Sequence, residues 1–222
     1  ELVNILPQTI QAEEIAGILA ERFGDRDTIC CYIGSNAATP TTSIQALTAA
    51  VASRAPRLPF IKMVHLLLQG PVPYVAEGLQ DRIMAYSIFS GETVRKAANR
   101  GHAFYLPCTL ANLEVLIGKG RKYAPDVAIV KVRRHPHTGE YSLGLSVEAL
   151  HTAIDQARIV IAEVDPSMPC TLGQSLVDAQ SIDYLIEEGV QPVYGFAASD
   201  FSRLSAEERR IADHDDAAIA RR

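Results

Sequence analysis

Residues 131–146, KVRRHPHTGEYSLGLS, gather two arginines, two histidines, two glycines and two serines into one connection. A strand-like run, PDVAIVKV, feeds the connection and a helix-like run, VEALHTAIDQA, follows it. An ordinary hairpin, a phosphate cradle and one wall of an active site are all compatible with that composition. A second candidate is GSNAATP, Gly34 to Pro40, which follows a strand pattern and precedes a helix pattern. Backbone N–H groups at a helix N-terminus there suit an anion or a thioester carbonyl. The alternative is a plain capping turn, with Thr41 or Thr42 as the cap. The segment is neither G-x-G-x-x-G nor a Walker loop. Glu163 and Asp165 end a buried-strand pattern in IAEVDP. Two carboxylates at a sheet edge can act as acid, base or nucleophile. They are expected to face opposite sides of the strand, and Glu163 doubles as a candidate for a buried acid bonded to nearby backbone.

The remaining chemistry-bearing residues are less pointed. His65 lies inside the apolar run MVHLLLQG, where a core histidine is the commoner outcome than a base. His102 follows Gly101 in a turn. His135 and His137 sit two apart on a loop, which does not make a metal-ligand set, and no metal is expected. Arg133 and Arg134 can pair with phosphates, though loop arginines are usually solvated. No G-x-S-x-G elbow is present, and no serine stands in a nucleophile context. Cys30, Cys31, Cys108 and Cys170 form no C-x-x-C, and adjacent cysteines pair poorly, so reduced thiols and a cytoplasmic protein are expected.

The elements that must position these residues alternate between strand and helix. Helical spacing runs through QAEEIAGILAERF, SIQALTAAVASR, GETVRKAANRG and LANLEVLIGKG. Strand patterns occupy DTICCYIG, FIKMVHLLLQG, IMAYSIFS, HAFYLP, PDVAIVKV and ARIVIAEV, with shorter pieces in SIDYLIEEG and VQPVYGF. PDVAIVKV alternates little, so both its faces are expected to be covered. The order implies an α/β fold with a mainly parallel sheet. Ligands of such sheets sit outside the carboxyl ends of the strands, and the loops there are rich in Gly, Ser, Thr, Asn and Pro.

The chain has 222 residues, 48% of them apolar and 21% charged, with a net charge of −5. That describes a globular chain rather than a disordered one. Without a lysine-rich stripe, nucleic acid is not an expected partner. The apolar runs fall well short of the roughly 20 residues of a membrane-spanning helix, so no membrane association is expected.

Three segments together resemble the acetyl-CoA hydrolase/transferase family. FSGETVRKAANRGHAFYLPCTLANLEVLI carries Arg95, Ala98, Gly101, Tyr105 and Pro107 at that family's spacing. PDVAIVKVRRHPHTGEYSLGLSVE carries Asp126, Gly139, Ser142, Gly144 and Ser146, and IVIAEVDPSMPCTLGQSLVDAQSIDYLIE carries Glu163, Met168, Pro169, Gly173 and Asp183. The resemblance implies a CoA-transferase amino-terminal domain over residues 1–198, of the fold shared with sugar-phosphate isomerases. Residues 199–222 resemble a linker helix opening a second domain that this sequence lacks. The implied activity moves CoA between a short-chain acyl-CoA and a carboxylate of the acetate type, through a glutamyl-CoA intermediate. The nucleophilic glutamate belongs to the second domain, so no catalytic residue is assigned within the chain. An acyl-CoA hydrolase, or a non-catalytic acyl-CoA or carboxylate-binding module of the same fold, is the alternative. Gly34, Ser35, Asn36, Pro107, Cys108, Ser142, Gly144, Ser146 and Met168 are the expected substrate and CoA pocket. Ser142 and Ser146 would bond the substrate carboxylate or the pantetheine amides. Coenzyme A enters as substrate and no other cofactor is implied; the missing second domain is the expected partner, and a homodimer is left open. The family often has Arg where Cys170 stands, and Arg binds carboxylates bidentately while Cys cannot, so an altered choice of carboxylate is implied.

Overall fold

A computed structural model describes residues 6–193. Among these residues, five α-helices and ten strands follow one another: β1 (Gln8–Thr9), α1 (Ile15–Phe23), β2 (Thr28–Ile33), α2 (Thr41–Ser53), β3 (Phe60–His65), β4 (Ile83–Ser87), α3 (Glu92–Ala98), β5 (Ala103–Tyr105), α4 (Leu113–Ile117), β6 (Val127–Arg134), β7 (Tyr141–Ser142), α5 (Leu150–Gln156), β8 (Ile159–Val164), β9 (Leu176–Val177) and β10 (Tyr184–Ile186). The main sheet runs β1-β10-β8-β6-β2-β3-β4-β5 with every neighbouring pair parallel. The expected α/β architecture is therefore the one observed.

The strand order has one consequence for function. From β2 the chain steps outward through β3, β4 and β5, then returns to the other side of β2 as β6 and steps away through β8 and β10. The loops leaving the carboxyl ends of β2 and β6 thus diverge, and a crevice opens between them.

Both faces of the sheet are covered, as the unbroken apolar runs require. Ile29, Cys31 and Ile33 of β2 and Ile129 of β6 pack beneath Ile15 and Leu19 of α1 and Ile44, Leu47 and Val51 of α2. The alternate residues, Tyr32, Ala128, Val130 and Ala162, pack against Leu113 and Ile117 of α4 and Leu150, Ala153 and Ile154 of α5. Residues one apart on a strand thus feed opposite cores.

The segment 131–146 is a hairpin: β6 and β7 pair antiparallel, with Arg133 opposite Ser142 and Arg134 opposite Tyr141. Arg134 lies over the Tyr141 ring at 5.2 Å and its Nη2 donates to Glu187 Oε1 at 2.5 Å, so it serves the hairpin and not a phosphate. VQPVYGF forms no strand as far as residue 193, and its remainder lies outside the described residues. The boundary at residue 198 and the linker helix also lie outside them. Among the described residues, no helix is long and apolar enough to cross a membrane.

Leu47 has no exposed surface and stands between α2 and the sheet. Leu47→Ala is expected to lower stability by about 2–5 kcal/mol, read from the urea midpoint at unchanged slope.

Candidate functional site

At the crevice between β2 and β6, the chain after β2 must turn away before α2 begins. Gly34 continues the ladder, its N–H donating to Ile129 O at 2.8 Å. Ser35 is fully buried; its hydroxyl accepts from Leu66 N–H at 3.1 Å and stitches this loop to the end of β3. Asn36 then takes a left-handed conformation, φ 54°, which asparagine tolerates better than most residues. From the other side of the crevice, the chain after β7 reaches Ser146 and a second left-handed residue, Glu148, at φ 41°. The two loops are joined directly. Asn36 Nδ2 donates to Ser146 Oγ at 3.1 Å and to Glu148 Oε1 at 2.9 Å. The Ser146 hydroxyl also donates to Glu148 Oε1. Tyr32, rising from β2, donates its hydroxyl to Glu148 Oε2 at 3.3 Å.

These groups floor a cavity of about 570 Å³ lined by Asn36, Leu66, Leu110, Ala111, Leu113, Glu114, Leu145, Ser146, Glu148 and Ala149. A second hollow of about 550 Å³ holds Tyr105, Pro107, Cys108, Thr109, Asn112, Val115 and Leu116. The segment from Thr109 to Leu116, which includes most of α4, contributes to both. Apolar walls with a few convergent polar groups are what a small-molecule site requires. Burial raises the Glu148 pKa, while the donors Ser146, Tyr32, Ser35 and Asn36 pull it back down.

The expected pocket residues separate into two groups. Asn36 and Ser146 meet in the first cavity, with Gly34 and Ser35 behind them in the same loop; Pro107 and Cys108 line the second. Ser142, Gly144 and Met168 have a different task. The Ser142 hydroxyl, fully buried, donates to Thr171 O at 2.8 Å and accepts from Thr171 N–H at 3.0 Å and Gly144 N–H at 3.1 Å. A hydroxyl so occupied has no capacity left for a substrate carboxylate. Gly144 sits at φ 62°, and a Cβ there would lie 2.5 Å from the Met168 sulfur. The three residues clamp the β6–β7 hairpin to the loop after β8, underneath the crevice. Glu148 was not singled out in the sequence. Its signal was its place two residues after Ser146 in a glycine- and serine-rich strand-end loop.

Glu163 and Asp165 do not face opposite sides: residues two apart on a strand share a face, and that expectation was wrong. Both carboxylates lie 3.8 Å from the ammonium of Lys131, on the α2 side of the sheet, and all three side chains are buried. Glu163 Oε1 accepts the Ser43 N–H at 2.5 Å. Glu163 is therefore the buried acid bonded to backbone, and it holds the first turn of α2. Neither Thr41 nor Thr42 caps that helix; the Thr42 hydroxyl donates to Gly189 O at 3.2 Å. The α2 N-terminus is already served by the protein's own carboxylate. Burial raises the Glu163 pKa and lowers that of Lys131, and their mutual attraction opposes both shifts. Lys131 also donates to Gln191 O at 2.5 Å.

His65 is buried in the core, and burial lowers its pKa to about 3. Neither ring nitrogen has a partner among the described residues. It is a core residue, as expected, though not a satisfied one. The cysteines are free thiols, and burial pushes the Cys30 pKa up to about 12. His135 and His137 sit at the exposed hairpin tip. Among the described residues, no group of three His, Cys, Asp or Glu is placed to hold a metal.

An open parallel sheet with a cavity at its strand-order reversal places the chain among the α/β folds. The family can be stated further: residues 8–194 match the acetyl-CoA hydrolase/transferase N-terminal domain, and the chain belongs to that family. A 4-hydroxybutyrate coenzyme A transferase of Clostridium kluyveri is 35% identical over 127 residues, 57% of this chain and 29% of the relative. A succinyl-CoA:acetate/propanoyl-CoA:succinate CoA transferase of Fasciola hepatica is 32% identical over 177 residues, 78% of this chain and 35% of the relative. The chain thus spans about a third of the length of these curated relatives. Its fold is that of RipA from Yersinia pestis, with a TM-score of 0.71 at 19% identity, covering 86% of this chain and 44% of that one. The 4-hydroxybutyrate CoA-transferase of Porphyromonas gingivalis gives 0.62 at 22% identity over 85% of this chain and 41% of that one.

Two outcomes test the clusters. Lys131→Met leaves two buried carboxylates without their cation and is expected to cost about 3–5 kcal/mol in denaturant unfolding, part of which Glu163→Gln added to it should restore. Glu148 is held above its ordinary value of 4.5, so the folded state binds its proton more tightly than the unfolded state. Its contribution to stability is complete below pH 4.5 and is lost as pH rises through the raised folded-state value. Stability measured against pH should therefore fall across that window in the native protein, and Glu148→Gln should remove that part of the slope. Tyr32, which donates to Glu148, is pushed up by burial and by Glu148 itself, away from that window.

Proposed function

We propose that this chain forms the amino-terminal half of a CoA-transferase that moves CoA between a short-chain acyl-CoA and a carboxylate. The observation that carries the reading is the cavity at the β2–β6 reversal, in a chain that belongs to the acetyl-CoA hydrolase/transferase family. The cavity offers Asn36 and Ser146 as polar contacts and leucines as apolar walls, in a volume suited to an acyl group and the end of a pantetheine arm. The coenzyme is a substrate here, and no other cofactor enters the scheme.

The nucleophile comes from a second domain outside these residues. Among the acids near the crevice, Glu163 is committed to Ser43 and Lys131. Glu148 shares its charge among donors from Asn36, Ser146, Tyr32 and Ser35, which weakens it as an attacking group. In the proposed sequence, a glutamate of the second domain attacks the thioester carbonyl and CoA thiolate leaves, giving a mixed anhydride. The thiolate then attacks the glutamyl carbonyl, releasing the donor carboxylate and leaving a glutamyl-CoA thioester. An acceptor carboxylate reverses both steps and departs as the new acyl-CoA. Backbone amides at the loops of the crevice stabilise the oxyanions. The same anhydride or thioester intercepted by water would make the enzyme a hydrolase.

Mass spectrometry of the complete enzyme after acyl-CoA and borohydride treatment tests the scheme, because borohydride reduces a glutamyl thioester to an alcohol. The modified glutamate is expected outside residues 1–222, and the isolated chain is expected to show no CoA transfer. A reduced Glu148, or turnover by the isolated chain, overturns the assignment.

A further inference from the structure

We propose that Arg54, Arg57 and Arg82 form a second ligand site, which binds a small phosphate-bearing anion at the end of the sheet opposite the crevice. The site stands apart from the CoA-transferase reading and does not depend on it.

Its position follows from the way the chain passes from α2 to β3. The helix ends at Ser53, and Arg54 takes a left-handed conformation, φ 64°, which stops the helix and turns the chain back. The short connection to β3 carries Arg57. Arg82 stands just before β4, and the Ile61 N–H donates to Arg82 O at 2.7 Å, so the amino ends of β3 and β4 lie side by side. The three arginines thereby line one cavity of about 230 Å³, with Val51 and Asp81 among its other residues. The crevice lies at the carboxyl ends of the strands and this cavity at the amino ends; α2, 13 residues and about 20 Å long, runs between the two levels. A cavity of this size is below the range of drug-sized ligands and suits one or two phosphoryl groups.

The first observation is charge. Three arginines line the cavity against one aspartate. Arg26 and Arg134 are paired with Asp126 and Glu187, but the side chains of Arg54 and Arg57 are exposed and make no hydrogen bond or ion pair with the described residues. Cations gathered without matching acids repel one another, and an anion of two or more charges relieves that repulsion.

The second observation is the free edge of Arg82. Its Nη1 donates to Val51 O at 3.1 Å, which anchors the guanidinium on the last turn of α2. Its Nε is buried and has no hydrogen-bond partner among the described residues. Asp81 Oδ2 stands 3.6 Å from Nε, beyond hydrogen-bond range, on a side chain that is 64% exposed. With Nη1 engaged, Nε and Nη2 remain, and that edge of a guanidinium grips a phosphate through two parallel hydrogen bonds. The attraction of a helix C-terminus for cations accounts for Nη1 at Val51 O. It leaves Nε and Arg57 without a task, and an oxyanion in the cavity supplies one to both. Asp81 is the one lining group that opposes an anion, so the sign of its substitution is diagnostic.

The test is calorimetric titration of the complete enzyme with inorganic pyrophosphate and with inorganic phosphate, at a constant ionic strength of about 50 mM and about pH 7.5. Saturable binding is expected, with pyrophosphate held more tightly than phosphate. Arg57→Gln removes an exposed charge and should weaken pyrophosphate about fivefold, and Asp81→Asn should tighten it by about the same factor. Arg82→Lys keeps the charge but loses the fork, and should weaken binding about tenfold. Arg57 and Asp81 are exposed, so their variants keep the test decisive even where Arg82→Lys fails to fold. Saturating coenzyme A should leave the pyrophosphate affinity unchanged. Three results each overturn the proposal: no saturable binding of either anion, an affinity unmoved by both Arg57→Gln and Asp81→Asn, or displacement of pyrophosphate by coenzyme A, which would give the arginines to the coenzyme's own phosphates.

Discussion

The hydrogen bonds from Asn36 and Ser146 to Glu148 span the place where the strand order reverses. Sheet hydrogen bonding ends there: β2 and β6 are neighbours, but the loops that leave them run in opposite directions. Nothing in the ladder holds those loops together, so side chains must do it. Glu148 supplies the acceptor, and both loops supply donors. Two left-handed residues are the cost, of the order of 1–3 kcal/mol each, and a polar network in a partly dry pocket is strong enough to offset it. The cavity opens beside this bridge, with Asn36, Ser146 and Glu148 among its lining residues.

On the opposite face of the same edge, the physics is reversed. Lys131, Glu163 and Asp165 are enclosed beneath the start of α2, and the first turn of that helix donates to Glu163. Helix N-termini at strand ends of parallel sheets are ready sites for anions. Here the Ser43 N–H is already taken by Glu163, so that amide is not free for a phosphate or a thioester. The two faces of the edge therefore divide the work. One is closed by an internal ion cluster, which also takes the carbonyl of Gln191 where the described chain ends; the other is left open toward Leu110, Leu113 and Leu145.

Much of this was legible in the sequence, for identifiable reasons. PDVAIVKV and ARIVIAEV became β6 and β8 because a strand buried on both faces writes an unbroken apolar run. The helices of α1 and α2 followed their spacing. The strands β1, β7 and β9 were not legible, because each is two residues long and exists only through a partner distant in sequence. Asn36 and Ser146, chosen as small polar residues at strand ends, line one cavity together. Ser142 and Met168 were misplaced for the same reason they were chosen: a buried structural lock and a ligand pocket both select small and adaptable residues, and only the saturated hydrogen bonds of Ser142 tell them apart. Glu148 escaped because a lone acid before a helix reads as a first-turn charge, and two of its partners, Asn36 and Tyr32, stand 112 and 116 positions away.

The contrast between Glu148 and Glu163 shows how environment sorts chemically identical side chains. Burial raises the pKa of each, and each is drawn back by donors. Glu163 faces a buried ammonium and a helix N-terminus, so its charge is matched and it has no remaining use outside the fold. Glu148 is met by neutral donors, the Asn36 amide and the hydroxyls of Ser146, Tyr32 and Ser35, and no cation lines its cavity among the described residues. Its negative charge is therefore stabilised locally without being cancelled, and the field it projects into the cavity survives. A matched charge builds structure; an unmatched one, fixed in place and half exposed, can only be answered by what enters the pocket.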